Sequence, residues 1–241
     1  PVAKAALSKN CHVFIEKPLG MSVDGWNEIS DICKEKKLIN YVSFNHRHIP
    51  YVKRLKKILD SGKYGKVLNA NMRWGSYLPD WHPWEDYRSF YMAKKEQGGG
   101  ALLDESHGID LIRYLLGEPE RVAAFVGNVS DLEITSDDVA FLTMELENGP
   151  YVQINFDLLS RYPRVSLEIV LSEGSIYMDR IDHVLRVYDA KSKEWTEERW
   201  SKEEFMSMYP VQAKHFFDCI SNNTQSLTDI DDGIKTQRVI D

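Results

Sequence analysis

The sequence predicts an α+β protein in which a large open, mainly antiparallel sheet flanked by helices follows a short parallel α/β unit. Two patterns carry the prediction. As far as Asn45, helical stretches alternate with two compact apolar runs, "HVFI" and "INYVSF". That is the order of a strand–helix–strand unit in a parallel sheet. From Arg121 to about Trp200 apolar and polar residues alternate instead, which is the period of strands with one buried face.

The elements follow in chain order. "VAKAALSKN" runs from Pro1 as a helical pattern ending at Asn10 and leads straight into the first strand. A helix, a turn and a buried strand at the start are what the tail of a βαβ unit would show, so the chain is expected to be a fragment. Ser22 to Lys37 places Trp26, Ile29 and Cys33 at helical spacing. Residues 39–45 form the next strand, and Pro50 opens a helix that Gly62 and Gly65 close. "KVLNANMRWGSY" is a strand, and Leu78 to Lys95 is an aromatic, proline-broken loop. Gly98–Gly100 lead into a helix closed by Gly117 and Pro119. Three runs then alternate: Ala140 to Leu146, Val152 to Leu158 and Val165 to Leu171, with "ENGP" and "SEGS" as turns. Helices over roughly Lys202–Ser221 and Ile230–Asp241 end the chain.

The totals bound the function. The 241 residues give ample core, with 43% hydrophobic and 28% charged residues, as in an ordinary globular protein. A net charge of −7 argues against nucleic acid or an anionic membrane as partner. No apolar stretch approaches the ~20 residues that span a bilayer, and no signal peptide pattern leads the chain. Cys11, Cys33 and Cys219 are scattered, which fits a reducing cytoplasm and suggests neither a disulfide framework nor a metal site.

Four stretches hold residues able to carry chemistry. In "HVFIEKPLG" an apolar run stops at Glu16-Lys17-Pro18. A residue before proline is driven into extended geometry. Lys17 is therefore expected at the carboxyl end of its strand, where ligands of open α/β sheets bind; a surface lysine paired with Glu16 is the alternative. "SFNHRHIP" sets Asn45 and Arg47 after the next strand end, on the same edge. On an extended chain His46 and His48 would point the same way, as an H-x-H metal pair does, but no third ligand lies nearby. In "YLPDWHPWEDYRSFY", Trp81, Trp84, Tyr87 and Tyr91 crowd around His82 and Arg88. Rings pack on the apolar face of a sugar while Arg and His take its hydroxyls or carboxylate; anchoring a long loop would use the same aromatics. Last, Asp104, His107 and Asp110 follow the triple glycine at spacings that share a helix face. A histidine beside carboxylates serves as a general base near neutral pH. Asp104 as a helix cap with the others solvated is the alternative. No metal is expected, because no ligand motif such as H-E-x-x-H is present.

Together and in this order, E-K-P, N-x-R-x-x-P and G-G-G…H-x-x-D resemble the Gfo/Idh/MocA family of nicotinamide-dependent oxidoreductases, over nearly the whole chain. The resemblance implies that residues 1–46 are the remnant of a dinucleotide-binding (Rossmann) domain. Residues 47–241 are then an α/β substrate-binding and oligomerisation domain. It implies NAD or NADP as cofactor, near Glu16, Lys17, Pro18 and Asn45. The implied substrate is a sugar, an inositol or a sugar derivative, met by Arg47, Trp81, His82, Tyr87, Arg88, Asp104 and His107. Lys17 matches a family lysine near both nicotinamide and substrate hydroxyl, where an ammonium steadies the oxygen as hydride leaves its carbon. His107 matches the histidine that takes or gives the hydroxyl proton. The resemblance also implies a homodimer or homotetramer formed through the open sheet face, where Gln153, Asn155 and Asp157 lie.

Two departures stand out. Many family members carry an aspartate four residues before the histidine; here Leu103 holds that position and Asp104 follows it. The family's G-x-G-x-x-G is absent, so this chain alone is expected to bind the cofactor poorly and to be inactive. A ligand-binding sensor on the same scaffold is the alternative function, and a metal-dependent lyase or isomerase using Asp104, His107 and Asp110 is a third.

Overall fold

The structure, a computed structural model, describes residues 1–147 and 149–241. The chain begins with α1 (Val2–Ser8), β1 (Val13–Ile15), α2 (Trp26–Lys36) and β2 (Asn40–Val42). The two strands are parallel, with Val13 opposite Asn40 and Ile15 opposite Val42. Their core gathers Leu7, Val13, Leu19, Ile29, Cys33 and Phe44. α3 (Pro50–Asp60) starts with its proline in the first turn, where no amide partner is lost. Its apolar stripe, Tyr51, Val52, Leu55 and Ile58, is buried.

β3 (Val67–Gly75) begins the large sheet. After the loop come α4 (Ala101–Asp104), α5 (Ser106–Leu116), β4 (Pro119–Gly127), β5 (Val139–Leu146) and β6 (Tyr151–Asp157). β7 (Arg164–Leu171), β8 (Gly174–Asp179), β9 (Val184–Asp189) and β10 (Glu194–Arg199) complete the sheet, before α6 (Lys202–Met206), α7 (Met208–Asn222) and α8 (Ile230–Ile240). The eight strands run in the order β10-β9-β8-β7-β3-β6-β5-β4. All neighbours are antiparallel except β3 and β6. β3 is thus a central strand whose two neighbours both come from much later in the chain.

Alternation sets the two faces. Ala140, Leu142, Met144, Val152, Ile154, Phe156, Leu167 and Ile169 turn inward under α3 and α5. The approach of α5 is close: a Cβ on Gly108 would stand 2.7 Å from the Phe156 ring, so only glycine fits there. The opposite face carries Gln153, Asn155 and Asp157 and also apolar Phe125, Phe141 and Trp195, all three exposed.

The end of the chain returns to its beginning. The Val42 amide donates to the Thr228 carbonyl at 2.7 Å, and the Thr228 hydroxyl donates to the Val42 carbonyl at 2.6 Å. Ile230 and Ile234 of α8 lie in the smaller core. The helix expected over Lys202–Ser221 is divided at Ser207 into α6 and α7. Among the described residues no helix is long and apolar enough to cross a membrane.

Candidate active site

Because β1 and β2 are parallel, their carboxyl ends open on one edge. Lys17 leaves that edge two residues after β1, through a cis Lys17–Pro18 peptide. After β2 the chain enters a 3₁₀ turn, Asn45–His48. The glycine-led α4 ends opposite, at Asp104, and α5 starts at Ser106. Between them lies a cleft of about 400 Å³, lined by Lys17, Asn45, His46, Asp104, Glu105 and His107. That is within the usual range of small-molecule sites, roughly 300–1,000 Å³.

The Lys17 ammonium donates to the Asp104 carbonyl and stands 3.4 Å from its Oδ1. The Tyr91 hydroxyl donates to the same Oδ1 at 2.5 Å. Asp104 therefore fixes the lysine at the mouth of the cleft, and the tyrosine fixes Asp104. The His107 ring stacks on His46 with centroids 4.0 Å apart, and His46 stacks on Trp74 at 5.2 Å. Burial pushes both histidines well below the ordinary imidazole range. For His107 the next cause is His46, then Lys17 and Arg180; for His46 it is Arg180, then Lys17. Both rings are neutral, and each keeps a buried Nδ1 without a hydrogen-bond partner. Glu105 beside them is pushed far above the usual carboxylate range by burial and then by Asp104, although Lys17 and Arg180 pull the other way. It keeps its proton near neutral pH.

These groups set a pH dependence. Below about pH 6.5 an unfolded histidine takes up a proton that His46 and His107 refuse. Stability therefore falls on acidification, by up to about 1.4 kcal/mol per pH unit for each ring. Glu105 opposes this, because its folded state holds a proton that the unfolded carboxylate releases above about pH 4.3. Two rings outweigh one carboxyl between about pH 6.5 and pH 5. The thermal midpoint should drop across that window, and should drop less in His46→Gln. Equal drops in the two proteins would clear His46 of the effect.

The remaining candidates divide. Trp81 lines the cleft, its Nε1 donating to Ser76 Oγ at 2.5 Å. Glu16 is exposed and Pro18 half-buried at the strand mouth; neither lines the cleft. Arg47 is drawn away from it. Its Nε donates to Asp110 Oδ2 at 2.9 Å, and its Nη2 to Asp110 Oδ1 at 2.5 Å and Asp232 Oδ2 at 2.6 Å. The reason is local: a 3₁₀ turn has three residues per turn, so Arg47 leaves on a different side from Asn45. The same turn separates His46 from His48, which bonds Tyr41 instead. For Asp110 burial pushes the carboxyl up, while for Arg47 the two carboxylates outweigh burial and hold the charge. The short two-pronged contact is that of an ionised pair.

The aromatic loop closes on itself. His82 bonds Glu85 and stacks on Trp84; Arg88 is held by Asp86 and Glu133; the Tyr87 hydroxyl accepts from the Glu133 amide. None of the three lines the cleft. The helix expected to run on from the triple glycine is broken at Glu105, so Asp104 and His107 face the cleft while Asp110 faces Arg47. Trp74, Tyr209 and Arg180 line the cleft although the sequence did not single them out. Trp74 was signalled by its inward register with Ala70 and Met72. Arg180 had no signal, being a single residue after β8. Among the described residues no group of three or more His, Cys, Asp or Glu is placed to hold a metal ion.

Residues 52–177 match the GFO/IDH/MocA C-terminal domain, and residues 1–44 match the oxidoreductase family's NAD-binding Rossmann fold. The chain is 29% identical over 185 residues to a 2,7-anhydro-N-acetylneuraminate hydratase of Escherichia coli, covering 74% of this chain and 48% of that protein. It is 35% identical over 125 residues to a levoglucosan dehydrogenase of Pseudarthrobacter phenanthrenivorans, covering 51% and 31%. It is 26% identical to scyllo-inositol 2-dehydrogenase (NAD(+)) of Bacillus subtilis, covering 91% and 64%. The chain spans about half the length of the curated relatives it matches. A solved levoglucosan dehydrogenase, in complex with NADH and levoglucosan, superposes with a TM-score of 0.87 at 22% identity, over 99% of this chain and 72% of that one. That likeness speaks for the fold.

Proposed function

The chain belongs to the Gfo/Idh/MocA family of oxidoreductases, and from that premise we propose that its protein is an NAD- or NADP-dependent dehydrogenase or reductase. The reaction is at a hydroxyl or carbonyl carbon of a sugar, an inositol or a sugar derivative. The observation that carries the reading is the meeting of Lys17, Asp104 and His107 in one cleft at the carboxyl edge of a parallel strand pair. Relatives named as levoglucosan and scyllo-inositol dehydrogenases support the substrate class.

The edge fits the nicotinamide half of the cofactor. Lys17 and Asn45 border the cleft there, with Glu16 and Pro18 beside them, and the Asn45 Oδ1 is buried without a partner. The 241 residues contain no G-x-G-x-x-G for the pyrophosphate. When bound, the nicotinamide supplies the hydride acceptor or donor. The chain's own residues handle the oxygen and its proton. Lys17, held by its Asp104 contacts, directs a remaining N–H toward the substrate oxygen and stabilises the charge that develops on it. Neutral His107 takes the hydroxyl proton in oxidation and returns it in reduction. Asp104, held by Tyr91, keeps Lys17 in place, and Trp81 offers an apolar face to the sugar ring. Arg47, His82, Tyr87 and Arg88 hold the structure around the cleft rather than the substrate.

The test is nicotinamide reduction by the natural full-length polypeptide, followed by absorbance on a panel of sugars and inositols. Turnover that depends on Lys17 supports the reading, and no turnover with either cofactor refuses it. A sensor would bind the same ligands without turnover.

Assembly is part of the same proposal. Phe125 opposite Phe141, with Tyr151, Val170 and Trp195, exposes apolar surface on the uncovered sheet face. A second copy packed there gives a homodimer, and two such pairs a homotetramer. Sedimentation should show that assembly and Phe141→Asp should dissociate it; a monomeric wild type overturns it.

A further inference from the structure

Arg180 enters the cleft from the turn between β8 and β9. Its guanidinium carbon lies 5.2 Å from the centre of the Trp74 ring and 5.5 Å from that of Phe205. Its Nε is buried and has no hydrogen-bond partner. The two buried arginines are treated otherwise: Arg47 holds Asp110 and Asp232, and Arg113 holds Glu118 and Asp232. Among the described residues no carboxylate forms an ion pair with Arg180, and three that lie toward it are engaged elsewhere. Asp104 accepts from Lys17 and Tyr91. Asp157 accepts from the Leu159 and Ser160 amides and the Ser160 hydroxyl. Asp179 accepts from Tyr177 and the Ile181 and Asp182 amides. Glu105 carries a proton and no charge to offer. With both histidines neutral, the cleft holds two cations, Lys17 and Arg180, against one anion, Asp104.

Arg180 is half-buried with its Nε unpartnered, and its planar fork matches a carboxylate better than any neutral hydroxyl. We propose that Arg180 anchors a carboxylate carried by the substrate, so that the cleft selects sugar acids over neutral sugars. The same fork can also meet a phosphate, so the experiment sets the two anions against each other. The inference rests on the reading of this cleft as the substrate site.

Calorimetry on this chain without nicotinamide tests it, using hexuronates, each against its parent hexose, and glucose 6-phosphate as the phosphate probe. A charge-assisted contact should favour at least one uronate by roughly tenfold or more. Arg180→Met should erase that preference, with each uronate losing roughly tenfold more affinity than its parent hexose, and Arg180→Lys should keep part of it with the wild-type thermal midpoint. A wild type that prefers no uronate, a preference that survives in Arg180→Met, or tighter binding of the phosphate overturns the proposal. The two readings fail separately. Uronate preference without turnover in the full-length enzyme refuses only the dehydrogenase, and turnover of neutral sugars without uronate preference refuses only the role of Arg180.

Discussion

If the protein is the dehydrogenase proposed, Lys17→Met should lower its kcat by roughly 10²–10³-fold, the usual cost of removing one donor to a developing oxyanion. Methionine keeps the length and apolar stem of lysine but has no proton to give. Asp104 would lose its lysine contacts and keep Tyr91 at 2.5 Å, so the cleft's far wall should hold its shape. Lys17→Arg should not rescue, because a broad fork cannot occupy the position of a point charge packed against the Asp104 carbonyl. Steady-state rates with NAD or NADP, read beside the thermal midpoint, separate chemistry from folding. A kcat within about threefold of wild type would remove Lys17 from the mechanism, since loss of a transition-state contact must show in kcat.

The second large effect is on stability. Asp110→Ala should destabilise the fold by about 3–5 kcal/mol, as removal of one partner from a buried ion pair does. Asp110 is fully buried, the Arg47 side chain is 5% exposed, and Arg113 lies within 3.9 Å of the same carboxylate. Without Asp110, Arg47 keeps only Asp232, whose side chain is 23% exposed and shared with Arg113, and the Leu227 carbonyl at 3.4 Å. Denaturant unfolding measures the loss. Arg47→Met should match it in direction while leaving affinity for sugars intact. A loss under about 1 kcal/mol in Asp110→Ala would mark the network as one of the many ion pairs that contribute little.

Much of this was legible in the sequence, for reasons that differ by residue. Period-two alternation exposed β5, β6 and β7 because one face of each is buried and the other is not. The sheet order was not legible. β3 pairs with strands far along the chain, and no local pattern records a partner. Lys17, Asp104 and His107 could be picked out because each sits at an element boundary: a strand end before proline, or a helix behind three glycines. Arg47 misled because a residue just past a strand reads as extended, whereas the chain had already turned into a 3₁₀ step. His82 and Arg88 misled for another reason. Their partners Glu85 and Asp86 stand within three residues, and charges so close along a loop satisfy each other first. Arg180 was invisible because its isolation appears only when four separated segments are brought around it.

The central place of β3 has a consequence for how the protein comes to be made. Asn71 and Gln153, neighbours across the β3–β6 seam, are 82 residues apart in sequence. On a ribosome β3 emerges first among the sheet strands and waits, both of its edges unpaired, until β6 and β7 follow to pair with it. Contacts of such range make assembly slow, and an apolar strand left waiting is the kind of surface that draws aggregation or a chaperone. The seam that makes the finished sheet continuous is also the step at which a nascent chain is most vulnerable.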